Sequence, residues 1–551
     1  ITYCMTKDNN PRCHGCGQPP HNNNNGNIIP LKRCSRCKQV WYHNAECQRN
    51  DWKRHRQQDH CIALQNDTKT LMVSHPEQSY HIIKQDKKGN SIMASKQLTM
   101  GDVVLVDTNP IVPPVLREDY RLIRCAVCFA KLNSVVVHYS VETTKYSYGS
   151  KVYPIRLCSQ QCQTVSNGWI QQESQVVEKT LMQHSSSTLP KILPTAILLY
   201  RIVRYLILTT PDDDPTRQQI LNLYPPDRSV LRYTKQNTNN TRNDKEEEEE
   251  FHKIAVLFTV HNLLLSDPKT QQQYSSSKSN NTTTTIDLEL LLLKLKTNSF
   301  TITDGESTPI GIGLYSQASN INHSCVPNIL PTFQYGIPGT TPHVQFTVCC
   351  HPPILPGKEL CIPYMDVTAP YSLRKRWLLN SYYFDCDCER CSTTNTDFTT
   401  TEEEENLDIN KTLSLYEQEQ HFLSMETKFP TSSWYYQESG ERYLQALLDS
   451  IDGSNSNNQH PMTICQQALE VVSKLIVPYP NKKNHEGWRI LRTCLLTYKC
   501  AKLRLYLQYD DDPILAIQEL QQCLETYQLF YDKNHEFVQE LQETIQQAYG
   551  I

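Results

Sequence analysis

Apolar residues are scarce in this 551-residue chain, at 38% of positions, fewer than a uniformly packed protein of this size carries. The deficit is local. It falls in runs of Asn, Gln, Thr, Ser and Glu at 22–25, 236–250, 271–285 and 392–405, which read as solvated, disordered linkers. No apolar run is long enough to span a membrane. The longest, 195–208, is interrupted by Arg201 and Arg204 and reads as a core helix. A basic excess is also missing: the net charge is −4, which speaks against a generic nucleic-acid coat, although Lys and Arg gather between Lys32 and Arg56. Residues 1–11 lack the apolar stretch of a secretory signal. Ile1 stands where an initiator methionine would, so we expect further sequence upstream of it.

Cysteine, by contrast, is plentiful. There are 22, about half of them in closely spaced pairs and several beside histidines. Disulfide frameworks suit small secreted domains; a long chain without a signal favours zinc in a reducing compartment. The first cluster holds Cys13 and Cys16, Cys34 and Cys37, His43 and Cys47, then His55 and Cys61. Eight ligands in four pairs match two tetrahedral sites, and a module this small would draw much of its folding free energy from the metal. Asp59 or His60 could stand in for Cys61. Cys125 and Cys128 with Cys158 and Cys162 supply four ligands for one more site. Cys386, Cys388 and Cys391 supply three ligands and lack a fourth. Cys349, Cys350 and Cys361 read as small buried residues.

Length alone gives a prior of two to four compact units. Between the linkers, 79–111 is strand-rich, most clearly at 102–107, while 166–235 and 251–267 read as helices. Residues 286–391 mix strands and turns. From 407 onward the pattern is helical, with segments at 443–451, 463–476, 488–508 and 513–531, but no strict 34-residue repeat.

Several of these segments carry the wording of a known family. Cys34-Ser-Arg-Cys37-Lys-Gln-Val-Trp-Tyr42, followed by Cys47-Gln48 and Asp51-Trp52, resembles a MYND finger. Asn322-His-Ser-Cys325, Gly357-Lys-Glu-Leu with Tyr364, and Phe384-Asp-Cys386-Asp-Cys388 with Cys391 resemble three SET-domain signatures in their usual order. The whole is similar to the SET-and-MYND protein-lysine methyltransferases. That resemblance implies an α+β fold: a SET β-fold carrying zinc modules, with an all-α, tetratricopeptide-like C-terminal domain. Its division would be a MYND finger at 1–62, first SET strands at 75–124, a one-zinc half-finger at 125–165, a helical insert at 166–285, the C-terminal SET core at 286–385, a post-SET motif at 386–395 and helices at 407–551. His43 stands where the family usually has Cys, and the complete finger precedes the SET strands instead of interrupting them.

The resemblance also implies roles. S-adenosylmethionine would be the cofactor, with about four zinc ions. Asn90, Asn298, Asn322, His323, Tyr364 and Phe384 would contact the cofactor, His323 through its backbone. Tyr364 would act at the transferring methyl and Tyr382 would line the substrate channel. Cys325 would complete the Cys386, Cys388 and Cys391 site. In the finger, Cys13, Cys16, His43 and Cys47 would hold one zinc and Cys34, Cys37, His55 and Cys61 the other. Implied partners are histone or other protein lysines and a proline-rich peptide at the finger; nucleic acid stays open, and a membrane is not expected. A monomer in nucleus and cytoplasm is expected. Two departures favour the other reading, a catalytically inactive zinc-rich adaptor: Ser91 replaces a family glycine, which matters if that backbone needs positive φ, and Pro363 precedes the tyrosine. No general base stands out.

Overall fold

The computed structural model describes residues 32–33, 41–42, 44, 46–47, 49–51, 79–85, 89–132, 147–148, 153, 155–166, 168–183, 189–209, 214–225, 244–274, 286–393, 413–452, 460–476, 489–507 and 513–549. The chain divides into two compact units, Ile1–Val73 and Ser74–Ile551. In the first, strands β1 (Lys32–Arg33) and β2 (Trp41–Tyr42) pair antiparallel. Tyr42 is buried and donates its hydroxyl to Asp51 at 2.9 Å. Of the eight finger ligands expected from the sequence, Cys47 alone falls among the described residues; Cys13, Cys16, Cys34, Cys37, His43, His55 and Cys61 lie outside them.

The second unit opens with β3 (Tyr80–Gln85), β4 (Gly89–Ala94), β5 (Val103–Asp107) and β6 (Pro110–Leu116). Two short strands, β7 (Ser147–Tyr148) and β8 (Ile155–Arg156), lead into helices α1 (Gln160–Ser166), α2 (Trp169–Gln183), α3 (Leu189–Leu208), α4 (Pro215–Asn222), α5 (Asp244–Ser266) and α6 (Leu288–Asn298). Then come β9 (Phe300–Thr303), β10 (Pro309–Tyr315), β11 (Asn322–His323), β12 (Ile329–Gln334), β13 (His343–Val348) and β14 (Cys361–Ile362). The strands form small sheets: β6-β10-β9, β12-β13-β5, the hairpin β3-β4, and a parallel pair β11-β14. Helices α7 (Tyr371–Tyr382) and α8 (Glu389–Thr393) follow, and six more end the chain: α9 (Leu415–Lys428), α10 (Trp434–Asp452), α11 (Pro461–Leu475), α12 (Ile490–Leu507), α13 (Ile514–Phe530) and α14 (Glu536–Ala548). Each of these six packs on the next. None of the described helices is long and apolar enough to cross a membrane.

Residue chemistry explains several of these elements. β6 contains Pro113 and Pro114, which cannot donate to a ladder, and it sits at the edge of its sheet. The carbonyls of both prolines accept from Arg201 Nη1, at 2.6 and 2.8 Å. Arg201 also grips Glu173 through both its Nε and Nη2 and stacks over Trp169, 4.5 Å from the ring centroid. Arg204 pairs with Asp267 at 2.9 Å, so the charges that interrupt the apolar 195–208 run are half-buried and paired, and α3 is the core helix expected of it. Gly311 in β10 is required by close approach: a Cβ there would lie 2.5 Å from the buried ring of Phe129.

The acidic run needs a correction. Residues 236–250 read as disordered linker, yet α5 begins at Asp244 and runs through the glutamates to Ser266. Glutamate is a good helix former, and acidic side chains suit a helix N-terminus. Residues 271–274 form a helical turn and 392–393 end α8, so those linkers are also shorter than the composition implied. Cys349 and Cys361 are buried as expected, whereas Cys350 is only partly so.

Chain-terminal packing carries a pH dependence. His535 caps α14, accepts from Phe537 N at 3.3 Å, and is buried between the rings of Tyr335 and Tyr531. Burial lowers its pKa to about 4, with Arg124 adding to the drop, while Glu536 and Asp532 oppose it. The unfolded chain takes up this proton near pH 6.5 and the folded one only near pH 4, so stability is full above about pH 6.5 and falls as pH drops toward 4. We expect the urea midpoint to decrease between pH 7 and pH 5, and His535→Asn, which keeps a capping acceptor, to flatten that decrease. Equal slopes for both proteins would contradict it.

Candidate functional site

Asp107, at the end of β5, positions the segment before β11. Its buried carboxylate accepts from Gln317 N at 2.7 Å and Ala318 N at 3.0 Å, capping the short turn at Ala318–Asn320. β11 then pairs in parallel with β14, Asn322 opposite Cys361 and His323 opposite Ile362. Two segments about forty residues apart in sequence meet here, which brings Asn322 and His323 beside Tyr364.

Asn322 is held by its amide nitrogen. It donates to Asn90 O at 3.0 Å, Ser91 Oγ at 2.8 Å and Glu359 Oε1 at 2.9 Å. Asn90 in turn donates from its side chain to Asn320 Oδ1 at 2.7 Å. Ser91 lies buried in β4 and is absent from the residues with positive φ, which near it include Gly89. The condition under which serine would strain this turn is not met; its hydroxyl is instead an acceptor for Asn322. Glu359 and Asn320 were not singled out from the sequence. Glu359 sits inside the quoted Gly357-Lys-Glu-Leu wording, and only the β4–β14 neighbourhood reveals its partner.

His323 is buried, and burial lowers its pKa to about 4. Its Nδ1 accepts from Tyr364 N at 3.0 Å, so the neutral ring carries its proton on Nε2, which lies 3.3 Å from Cys325 Sγ. The side chain is therefore engaged on both nitrogens. Tyr364 donates its hydroxyl to Ile321 O at 2.7 Å, and burial pushes its pKa well above the ordinary tyrosine value, so it stays a neutral phenol. Pro363 withholds a donor one residue earlier, where the ladder of β14 has already ended. Around Tyr364 stand Tyr382, 4.6 Å between ring centroids, Phe384 at 6.4 Å and His323 at 5.4 Å. Asn298 is not drawn into this group. Its amide nitrogen donates to the carbonyls of Tyr224 and Lys294 within the helical segment.

The described residues hold two four-cysteine groups, one of which includes Cys325 beside His323. The sulfurs of Cys325, Cys386, Cys388 and Cys391 all lie within 4.8 Å of one another, as do those of Cys125, Cys128, Cys158 and Cys162. Four thiols converging at that spacing suit a tetrahedral zinc ion. Each group has donors aimed at its sulfurs: His323 Nε2 at Cys325, and Gly339 N at Cys162, 3.1 Å away.

A MYND-finger profile matches residues 13–58, which leaves Cys61 beyond the match. N-lysine methyltransferase SMYD2 of Homo sapiens is 23% identical over 274 residues, 47% of this chain and 60% of that protein. N-lysine methyltransferase SMYD2-B of Xenopus laevis is 35% identical over 106 residues, 19% of this chain and 23% of the relative. Histone-lysine N-methyltransferase SMYD3 of Mus musculus is 37% identical over 111 residues, 20% of this chain and 24% of the relative. Over these segments the chain is similar to the SET-and-MYND lysine methyltransferases. The chain spans 60% or less of the length of these relatives. Zinc binding is supported both by the finger and by the two cysteine groups.

Proposed function

We propose that the protein is an S-adenosylmethionine-dependent protein-lysine N-methyltransferase, acting on lysines of histone or other proteins. In this reading residues 75–124 and 286–385 form the SET core, 386–395 its post-SET zinc motif, and 407–551 a tetratricopeptide-like helical domain. The observation that carries it is the meeting of Asn322 and His323 with Tyr364, Tyr382 and Phe384, beside the Cys325 group. The surroundings fit the cofactor: a polar corner of Asn90, Ser91 and Asn322 adjoins an aromatic wall, and aromatic faces favour a cation. Asn90 and Asn322 would hold the polar groups, His323 would offer its backbone, and Phe384 would pack on the apolar part.

The bound cofactor would supply a methyl group on a sulfonium, already a good leaving group. The protein's task is alignment and exclusion of water. A lysine amine must be neutral to attack, and an apolar aromatic channel lowers its pKa from about 10.4. Tyr382 and Tyr364 would form that channel. Tyr364, neutral and with its own proton donated to Ile321 O, has lone pairs left to accept from the incoming amine. Protein segments would be the substrates, a class that the names of the similar lysine methyltransferases support.

Calorimetry with S-adenosylmethionine on the zinc-loaded chain tests this reading. We expect micromolar binding, weakened about tenfold or more by Asn322→Ala. Tyr364→Phe should keep cofactor binding while lowering transfer by about a hundredfold. No heat from folded, zinc-loaded protein would instead favour the inactive adaptor.

A further inference from the structure

Helix α5 is apolar on two sides. Val256, Val260, Leu263 and Leu264 are buried against the helical core. Phe251, Ile254 and Phe258, spaced three and four residues apart, are 59%, 57% and 52% exposed. That spacing puts the three on one helical face. Single exposed apolar residues are ordinary, but an aligned stripe of two phenylalanines and an isoleucine marks a contact surface.

The stripe has a charged border and a defined neighbour. The glutamate run 246–250 immediately precedes Phe251 in the sequence. Glu249 and Glu250 are exposed, and Glu250 pairs with Lys253 at 3.3 Å. Helix α6 packs on both α5 and α7, and α7 ends at Tyr382 in the aromatic group around Tyr364. Tyr383, the left-handed cap between Tyr382 and Phe384, has its pKa raised by burial first and by Glu249 second. Through α6, helix α5 thus neighbours the helix that carries Tyr382.

We propose that this outer face of α5 docks the part of a protein substrate flanking its target residue, and that it selects segments pairing apolar side chains with lysine or arginine. The proposal rests on the methyltransferase reading above and adds its substrate class. The apolar stripe supplies buried area, and the acidic border supplies attraction for a basic segment and repels an acidic one.

The test uses the full zinc-loaded chain and two fluorescein-labelled peptides. One has a central lysine flanked by leucine and arginine; the other has glutamate for each arginine. Fluorescence anisotropy should give about tenfold tighter binding of the basic peptide, weakening as salt rises from about 50 to about 300 mM. Phe251→Asp combined with Ile254→Asp should weaken it about tenfold, and Glu249→Lys combined with Glu250→Lys should remove the preference. These side chains are exposed, so thermal melting should be unchanged. Equal binding of both peptides, or variants that bind like the parent, would overturn the proposal. So would a dimer in sedimentation that Ile254→Asp disperses, since a second copy would then own the face. A wild-type chain that binds the basic peptide but no S-adenosylmethionine would overturn the methyltransferase reading, and with it the substrate role of this face.

Discussion

Cys325→Ser should release about one zinc ion per chain and weaken S-adenosylmethionine binding by about tenfold or more. The two losses are linked by geometry. Cys325 lies three residues after Asn322 and is buried, with its sulfur 3.6 Å from that of Cys391. His323 Nε2 reaches the same sulfur, while its Nδ1 holds Tyr364 N. A metal bound by Cys325, Cys386, Cys388 and Cys391 therefore fixes three things together: the turn carrying Asn322, the ring of His323, and the chain around Phe384. Serine is a poor zinc ligand, and with three thiols remaining the segment at 386–391 loses its anchor to that turn. Metal analysis and calorimetry on one preparation check both parts. Full zinc content in the serine variant would remove Cys325 from the ligand set; zinc loss with unchanged cofactor affinity would show that the site does not support the Asn322 turn.

How much of this was legible beforehand depends on the range of the interaction. The paired cysteines could be read because zinc dictates both ligand type and local spacing, and a tetrahedron short of one ligand points to a distant fourth. The core helix at 195–208 and the last four helical segments could be read because apolar periodicity survives without knowledge of partners. Each of those helices differs from its expected span chiefly at the ends: 443–451 lies inside α10, which starts nine residues earlier at Trp434. The acidic stretch was misread because composition reports solvation, and a solvated surface can be helical. Glu359 and Asn320 were missed because their meaning lies in partners far along the chain, and nothing local marks an acceptor for the amide of Asn322. Asn298 is a different case. The family resemblance implied a cofactor contact for it, but its amide nitrogen donates to the carbonyls of Tyr224 and Lys294.

Arg124→Met should cost about 3–5 kcal/mol of stability in the Ser74–Ile551 unit, the range for removing one partner of a buried pair. Arg124 directly precedes the first ligand of the second cysteine group and is almost wholly buried, at 1% exposure. Its guanidinium donates to Phe129 O at 2.8 Å and grips both carboxylate oxygens of Glu536, at 3.1 and 2.8 Å. Tyr335 donates to the same carboxylate at 3.1 Å. Glu536 opens α14, so one guanidinium ties the Cys125–Cys128 turn to a helix over four hundred residues later. Methionine fills similar volume but leaves Glu536, 21% exposed on its side chain, with Tyr335 and a distant Lys131 at 4.0 Å. An uncompensated carboxylate is the main cost, so Arg124→Met with Glu536→Gln should recover part of the loss, because glutamine can still accept from Tyr335. Urea denaturation of the four proteins measures the coupling. If the double variant is as unstable as the sum of the two single ones, the pair contributes no interaction of its own and the cost of Arg124→Met is lost packing. If it is more stable than that sum, the bridge between the cysteine-bearing turn and α14 is energetic, and chelating zinc should loosen α14 as well, a change that hydrogen exchange at 536–548 would register.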